Sequence, residues 1–340
     1  MPEQMTSERY DIVFAHGASQ GRRARQEDHC KVWQPGKLDP GIEGLGDTLV
    51  VLADGMGGHT SGQIASRTAC TGFIRAFAAQ GGGIGARLAS ALSDANSALA
   101  ERITEDNSLS GMGSTIVAAY VDDEALRWAS VGDSTLLLYR DGVLQRLNAD
   151  HSHGAILDQQ AAAGIISEEI ARTDTRRRAL HSALTGDPIP LQDLELQGFE
   201  LMPGDWVLIA SDGLLTLQGD EIATIIHDHS DSLPGELVAA LLTAVEARNE
   251  PNQDNTTVAA LRIAPPGTFV EEEVEVEGVD QDGKTITHVM RTRRGAETEI
   301  APEATPRGSG GSALGVLLGL VVVAIVAVLA WLYLAPLIIG

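Results

Sequence analysis

Four apolar runs are packed into residues 114–151: STIVAAYVDD, ALRWASVGDS, TLLLYRDG and VLQRLNADH. Only short polar turns divide them, among them Asp122-Asp123-Glu124 and Asp141-Gly142. The runs are too short for ordinary helices and rich in residues that suit a pleated, half-buried surface. A turn of two or three residues lays the chain back beside itself, so the runs are expected to be antiparallel strands. A parallel sheet would need a crossover of about a dozen residues or more between successive strands.

Elsewhere strands and helices come in separate blocks. ERYDIVFAHG and DTLVVLADG read as strands that enter glycine-rich turns. Apolar residues recur at three-to-four spacing over 61–79 and 84–104, on either side of Gly81, Gly82 and Gly83. An irregular polar stretch, 152–204, precedes the strand DWVLIASDG, helical patterns near 219–229 and 234–248, and a last strand, TTVAALRIA. Such blocks predict an α+β fold over residues 1–264, as two sheets or as one sheet covered by helices. Residues 265–312 read as a linker of acidic and basic residues with a hairpin turning at Asp282-Gly283, ending in the flexible APEATPRGSGGS.

From 313 to 339 the chain carries no charged residue and exceeds the ~20 residues needed to cross a bilayer. It lacks the polar face that a core helix normally keeps, so a single transmembrane helix is expected. Arg291, Arg293, Arg294 and Arg307 precede it and only Gly340 follows, which places the main domain in the cytoplasm under the positive-inside rule. Gly311, Gly315 and Gly319 recur every four residues, a spacing that would let two such helices meet as a homodimer. The formal net charge of −23 argues against nucleic acid as a partner. Cys30 and Cys70 are too few for a disulfide framework or a structural zinc site.

Carboxylates recur where strands begin or end: Asp54 in VLADGMGGH, Asp133 in SVGDS, Asp212 in IASDGLL and Asp254 in PNQDNTTVAAL, with Glu27 and Asp28 after Arg23 in RRARQEDH. Each alone is an ordinary turn or solvated residue. Together they suit Mg²⁺ or Mn²⁺, which take oxygen ligands. Asp54 would end its strand where an ion sits, with Gly55, Gly57 and Gly58 allowing close approach. A chain this acidic can meet a phosphorylated substrate only through such ions or a few local arginines.

Taken in order, Arg23-x-x-x-Glu27-Asp28, ADGMGGH, GMGSTIVAA, VGDS, SDGL and QDNTT resemble the motif series of the metal-dependent protein phosphatases, the type 2C serine/threonine family, over residues 12–264. The resemblance implies two antiparallel sheets packed face to face and flanked by helix pairs. It also implies two Mn²⁺ or Mg²⁺ ions and a weaker third. Asp54 would bridge two ions, Gly55 would offer its carbonyl, Asp212 and Asp254 would hold the first ion, and Glu27 the second, mainly through water. Asp133, with Asp212, would hold the third. Arg23 would grip the substrate phosphate, and Asp28 would orient a metal-bridged water or hydroxide for in-line attack on phosphorus. Proteins carrying phosphoserine or phosphothreonine are the implied substrates, and a serine/threonine kinase the opposing partner.

Met56 stands where many eukaryotic members have a histidine, whereas bacterial members share the methionine and carry a histidine three residues on, as His59 is here. The acid that protonates the leaving alcohol is therefore open, with His59 the candidate. Residues 150–186 resemble the family's flap. They carry Asp174, Thr175 and Arg178 in place of the usual His-Pro and Asn-containing stretch, and Ser182 where an arginine is usual. Rival ester chemistries fail on the residues. CTGFIR leaves four residues between Cys70 and Arg75 where a cysteine phosphatase needs five, and no helix pattern follows Ser19 in GASQG. A membrane-tethered pseudophosphatase or phosphoprotein-binding scaffold is the alternative that hydrolysis of p-nitrophenyl phosphate would separate.

Overall fold

A computed structural model of the chain describes residues 10–37, 41, 43–57, 60–272, 278–279, 285–286 and 290–293. His59 and the 313–339 segment lie outside the described residues, and among the described ones no helix is long and apolar enough to cross a membrane.

The chain opens with β1 (Asp11–Ser19), β2 (Asp28–Trp33), β3 (Glu43–Leu45) and β4 (Thr48–Met56), then α1 (Ser61–Ala79) and α2 (Ile84–Glu105). Next come β5 (Gly113–Ser114), β6 (Ile116–Val121), β7 (Leu126–Val131), β8 (Thr135–Arg140) and β9 (Val143–Arg146). After these follow α3 (His153–Ala162), α4 (Glu168–Thr173), β10 (Asp193–Phe199), β11 (Trp206–Ala210), α5 (Gly219–Asp228), α6 (Pro234–Ala247) and β12 (Thr256–Ala264). One sheet runs β3-β1-β12-β11-β8-β9, the other β10-β7-β6-β4-β2 with β5 on β4. Neighbours pair antiparallel throughout.

Side-chain alternation along the strands builds the layers. In β4, Leu49, Val51 and Ala53 pack with Phe73 and Phe77 of α1 and Leu92 of α2, while Val50 and Leu52 face Val207, Ile209 and Leu261 of the other sheet. That sheet turns Trp206, Leu208 and Ala260 outward onto Ile222, Ile226, Leu237 and Leu241 of α5 and α6. The central strands are thus apolar on both faces because each is covered twice, and burying one such Leu or Ile is worth ~1.5–3 kcal/mol. The α+β expectation holds as two antiparallel sheets between helix pairs. Beyond β12, Phe269–Glu272 pairs with Met290–Arg293 and Gly278–Val279 with Thr285–Ile286.

Two sequence expectations need correction. The step from β7 to β8 is not a hairpin: β7 pairs with β6 and β10, whereas β8 pairs with β11 and β9. A short turn dictates proximity, not plane, and Gly132, at φ +103°, lets the chain leave one sheet and enter the other. The stretch 152–204, read as irregular, holds α3, α4 and β10. Ser152 and Ser167 cap the two helices by accepting from Ala155 N–H and Ile170 N–H. Their length and the exposed Ile156 and Ile170 hide the apolar periodicity.

Candidate active site

Residues 20–27 return from β1 to β2 as a loop that Asn255 holds in place. Its Oδ1 accepts from Glu27 N–H at 2.8 Å, and its Nδ2 donates to the carbonyls of Gln20 and Arg25 at 2.9 Å each. Asp28 then opens β2 directly opposite Asp54 of β4. Asp28 Oδ2 accepts from Ser211 Oγ at 2.7 Å and Thr257 Oγ1 at 2.8 Å, the first just past β11 and the second in β12 of the facing sheet. Its other oxygen, Oδ1, is buried with no hydrogen-bond partner among the described residues.

Asp54 does not end its strand. The β4–β6 ladder stops at Leu52 and Val117, but β5 takes over opposite Gly55 and Met56 and carries β4 two residues further. Thr115 bridges the change of partner, accepting Asp54 N–H on Oγ1 at 3.0 Å and donating its own N–H to Asp54 O at 2.9 Å. Gly62 of α1 leaves room beside this turn. A Cβ there would stand 2.7 Å from Glu27 Oε1 and 2.8 Å from Gly55 O, so a carboxylate and a carbonyl oxygen frame a cradle that any side chain would fill.

Asp133 occupies the crossing between the sheets. The preceding Gly132 donates its N–H to His151 Nδ1 at 3.1 Å and accepts His151 N–H on its carbonyl at 3.1 Å, which anchors the turn to the start of the flap. Burial holds the His151 pKa down, in keeping with a neutral ring that accepts at Nδ1. Asp212 opens a short 3₁₀ turn after β11, and its Oδ1 is buried without a partner among the described residues. Gly213 makes that turn fit, because a Cβ there would lie 2.1 Å from Asn255 O. Asp254 directs Oδ2 at Arg23 Nη2, 2.5 Å away, and at Arg178 Nη1, 3.8 Å away.

A cleft of about 810 Å³ is lined by Arg23, Glu27, Asp54, Asp133, Asp212 and Asp254. Gly55 lines it too, while Asp28 lies buried behind it. Burial first, then the charges of Asp28, Asp212, Asp133 and Asp254, push the Asp54 carboxyl well above the usual range. Burial raises Asp28 to about 6 against the opposing Ser211 and Thr257 hydrogen bonds, and burial with the nearby Asp212 raises Asp133 to about 7. Asp212 is raised by burial and Asp254, and Glu27 by burial against the opposing charge of Arg23.

These side chains ring the cleft rather than close on a point: among the described residues no three His, Cys, Asp or Glu side chains are grouped so as to hold an ion as they stand. By donor chemistry they nonetheless fit a divalent cation. The donors are all oxygens, their charges oppose one another, Asp212 Oδ1 is an orphaned buried acceptor, and the Gly62 cradle presents a further pair.

The family model for protein phosphatase 2C matches residues 41–261. The chain belongs to the protein phosphatase 2C family. Protein phosphatase PhpP of Streptococcus pneumoniae is 31% identical over 228 residues, 65% of this chain and 88% of that protein. Serine/threonine protein phosphatase PstP of Mycobacterium tuberculosis is 33% identical over 177 residues, 52% of this chain but only 33% of that protein. The crystal structure of the catalytic domain of PstP in complex with two manganese ions covers 75% of this chain and 99% of its own, at 29% identity and a TM-score of 0.58. The enzyme class is protein-serine/threonine phosphatase. Arg23, Glu27 and Asp28 precede the matched 2C segment; the fold brings Arg23 and Glu27 into the same cleft and ties Asp28 to Ser211 and Thr257.

Reading the sequence missed the residues that hold the carboxylates in place. Ser211, Thr257, Asn255 and His151 lie inside motifs already singled out, so their neighbours were the signal, but only the pairing of strands from two sheets assigns them a task. Gly62 carried no signal.

Proposed function

We infer that this 2C-type phosphatase hydrolyses phosphoserine and phosphothreonine monoesters in proteins, with two Mn²⁺ or Mg²⁺ ions and a weaker third. The observation that carries the reading is the single cleft that gathers Arg23 with Glu27, Asp54, Asp133, Asp212 and Asp254. Asp54, Gly55, Glu27, Asp212 and Asp254 would hold two ions, and Asp133 with Asp212 the third. When bound, the ions supply Lewis-acid activation of water and of the phosphoryl group. The chain's own groups do the rest. Arg23 binds phosphoryl oxygens by charge-assisted hydrogen bonds. Asp28, fastened through Oδ2, keeps Oδ1 to orient a water, and His59 is the candidate donor to the leaving seryl or threonyl oxygen. The apolar 313–339 segment would tether the domain to the cytoplasmic face of a membrane, with Gly311, Gly315 and Gly319 as a homodimer seam and a serine/threonine kinase as opposing partner.

The test uses the full-length chain. Mn²⁺-dependent hydrolysis of a phosphothreonine peptide and of p-nitrophenyl phosphate, abolished by EDTA, is expected. Binding of the peptide without turnover would favour a pseudophosphatase scaffold.

A further inference from the structure

Three consecutive arginines cross the flap, and the fold gives them different work. Arg176 closes on Asp174, with Nε and Nη2 at 3.1 and 2.9 Å from its two carboxylate oxygens. Arg177 forks onto Asp158 of α3 at 2.8 and 2.7 Å, and also reaches Ala171 O of α4 at 2.7 Å. Its own carbonyl accepts Gly154 N–H at 2.8 Å, so the backbone is fastened on both sides of this residue. Arg178 is the next residue along, and it lines the 810 Å³ cleft together with a second cleft of about 600 Å³ bounded by Asp150, Thr216 and Glu250.

Its side chain is 78% exposed, and its guanidinium stands 3.8 Å from Asp254 Oδ2, the oxygen that Arg23 also approaches. Ser182 lines the same cleft but offers no cation. Ser182 is buried, donating to Leu191 O at 2.6 Å and accepting Leu191 N–H at 3.1 Å.

We propose that Arg178 is the phosphate-binding residue of the flap, gripping the substrate's phosphomonoester dianion together with Arg23. A dianion entering the cleft faces six carboxylates, Glu27, Asp54, Asp133, Asp187, Asp212 and Asp254, so cationic donors decide whether it is held. Two guanidiniums that converge on one carboxylate oxygen can serve different oxygens of a tetrahedral phosphate. An exposed pair at 3.8 Å is held loosely, which leaves Arg178 able to turn to the ligand. The proposal rests on the phosphatase reading and names the group that recognises the phosphate in this chain.

The experiment compares the full-length chain with Arg178→Ala, Arg178→Lys and, as a control for lost flap charge, Arg176→Ala, all with Mn²⁺. The readouts are KM and kcat for a phosphothreonine peptide, the binding constant of inorganic phosphate, and the Mn²⁺ concentration for half-activation. Arg178→Ala should weaken phosphate binding and raise KM by about tenfold or more, with kcat much less affected and the Mn²⁺ requirement unchanged. Arg178→Lys should recover part of the loss. Unchanged phosphate binding with a raised Mn²⁺ requirement would mean that Arg178 only steadies Asp254, and an equal loss in Arg176→Ala would reduce the effect to flap charge; either overturns the proposal. A chain that binds inorganic phosphate through Arg178 yet turns nothing over would uphold the assignment while sinking the phosphatase reading.

Discussion

Asp28 and Asp54 stand directly opposite one another on adjacent antiparallel strands, and the Ser211 and Thr257 hydroxyls tie Asp28 to the facing sheet. Like charges in such a pair oppose folding. The fold keeps them together at a cleft that Asp54 lines with Asp133, Asp212 and Asp254, and burial keeps water from screening them.

This crowding gives the metal-free protein an unusual response to pH. An unperturbed aspartate titrates near 3.8, whereas Asp28 in the fold is raised to about 6 and Asp133 to about 7. The folded chain then holds more protons than the unfolded one, so these groups make stability fall as pH rises from about 4 to about 7. A carboxyl that titrates one pH unit higher in the folded chain contributes about 1.4 kcal/mol, so the two together amount to several kcal/mol. Melting temperatures in EDTA should show the trend, Asp133→Asn should flatten it, and Mn²⁺ should stabilise most at the upper end because protons compete with it. An unaltered slope in Asp133→Asn would remove Asp133 as a source.

Asp212→Asn tests the metal reading most directly. The change is nearly isosteric, so the fold should survive. Losing one charged oxygen ligand should lower kcat by about a hundredfold or more and raise the Mn²⁺ requirement. Near-normal turnover at ordinary Mn²⁺ would exclude Asp212 as a ligand.

Ser211→Ala and Thr257→Val each remove one donor to Asp28 Oδ2. A hydrogen bond to a charged group is worth about 1.5–3 kcal/mol, and losing one here should appear in kcat more than in KM if Asp28 orients the attacking water. Thr257→Ser, which restores the donor, should recover activity. Equal defects in Thr257→Ser and Thr257→Val would point to packing instead.

Gly62→Ala would place a methyl between Glu27 Oε1 and Gly55 O, 2.7 and 2.8 Å from them. Titrating activity and melting temperature with Mn²⁺ should show affinity weakened by about tenfold or more, a value to set against the loss for Ser66→Ala, a buried change in the same helix. Matched Mn²⁺ titrations in the two variants would make the cradle incidental.

By itself the sequence determined most of the strands and helices outside residues 152–204 and which acids border them, since both follow from local periodicity and turn chemistry. The 61–79 pattern becomes α1, and TTVAALRIA becomes β12, with the expected bounds. The ordered motifs likewise identified the family through resemblance, before any contact between them was known. The sequence could not show that Gly132 carries the chain from one sheet to the other, because a two-dimensional pairing pattern and a crossing have the same short turn. Nor could it show that Asp28 leans on Ser211 and Thr257, 183 and 229 residues away. Those relationships arise when apolar faces drive two sheets together and bring strand ends from distant parts of the chain to one edge. The acids gather there because at that edge strand ends from both sheets and residues of the flap line one cleft.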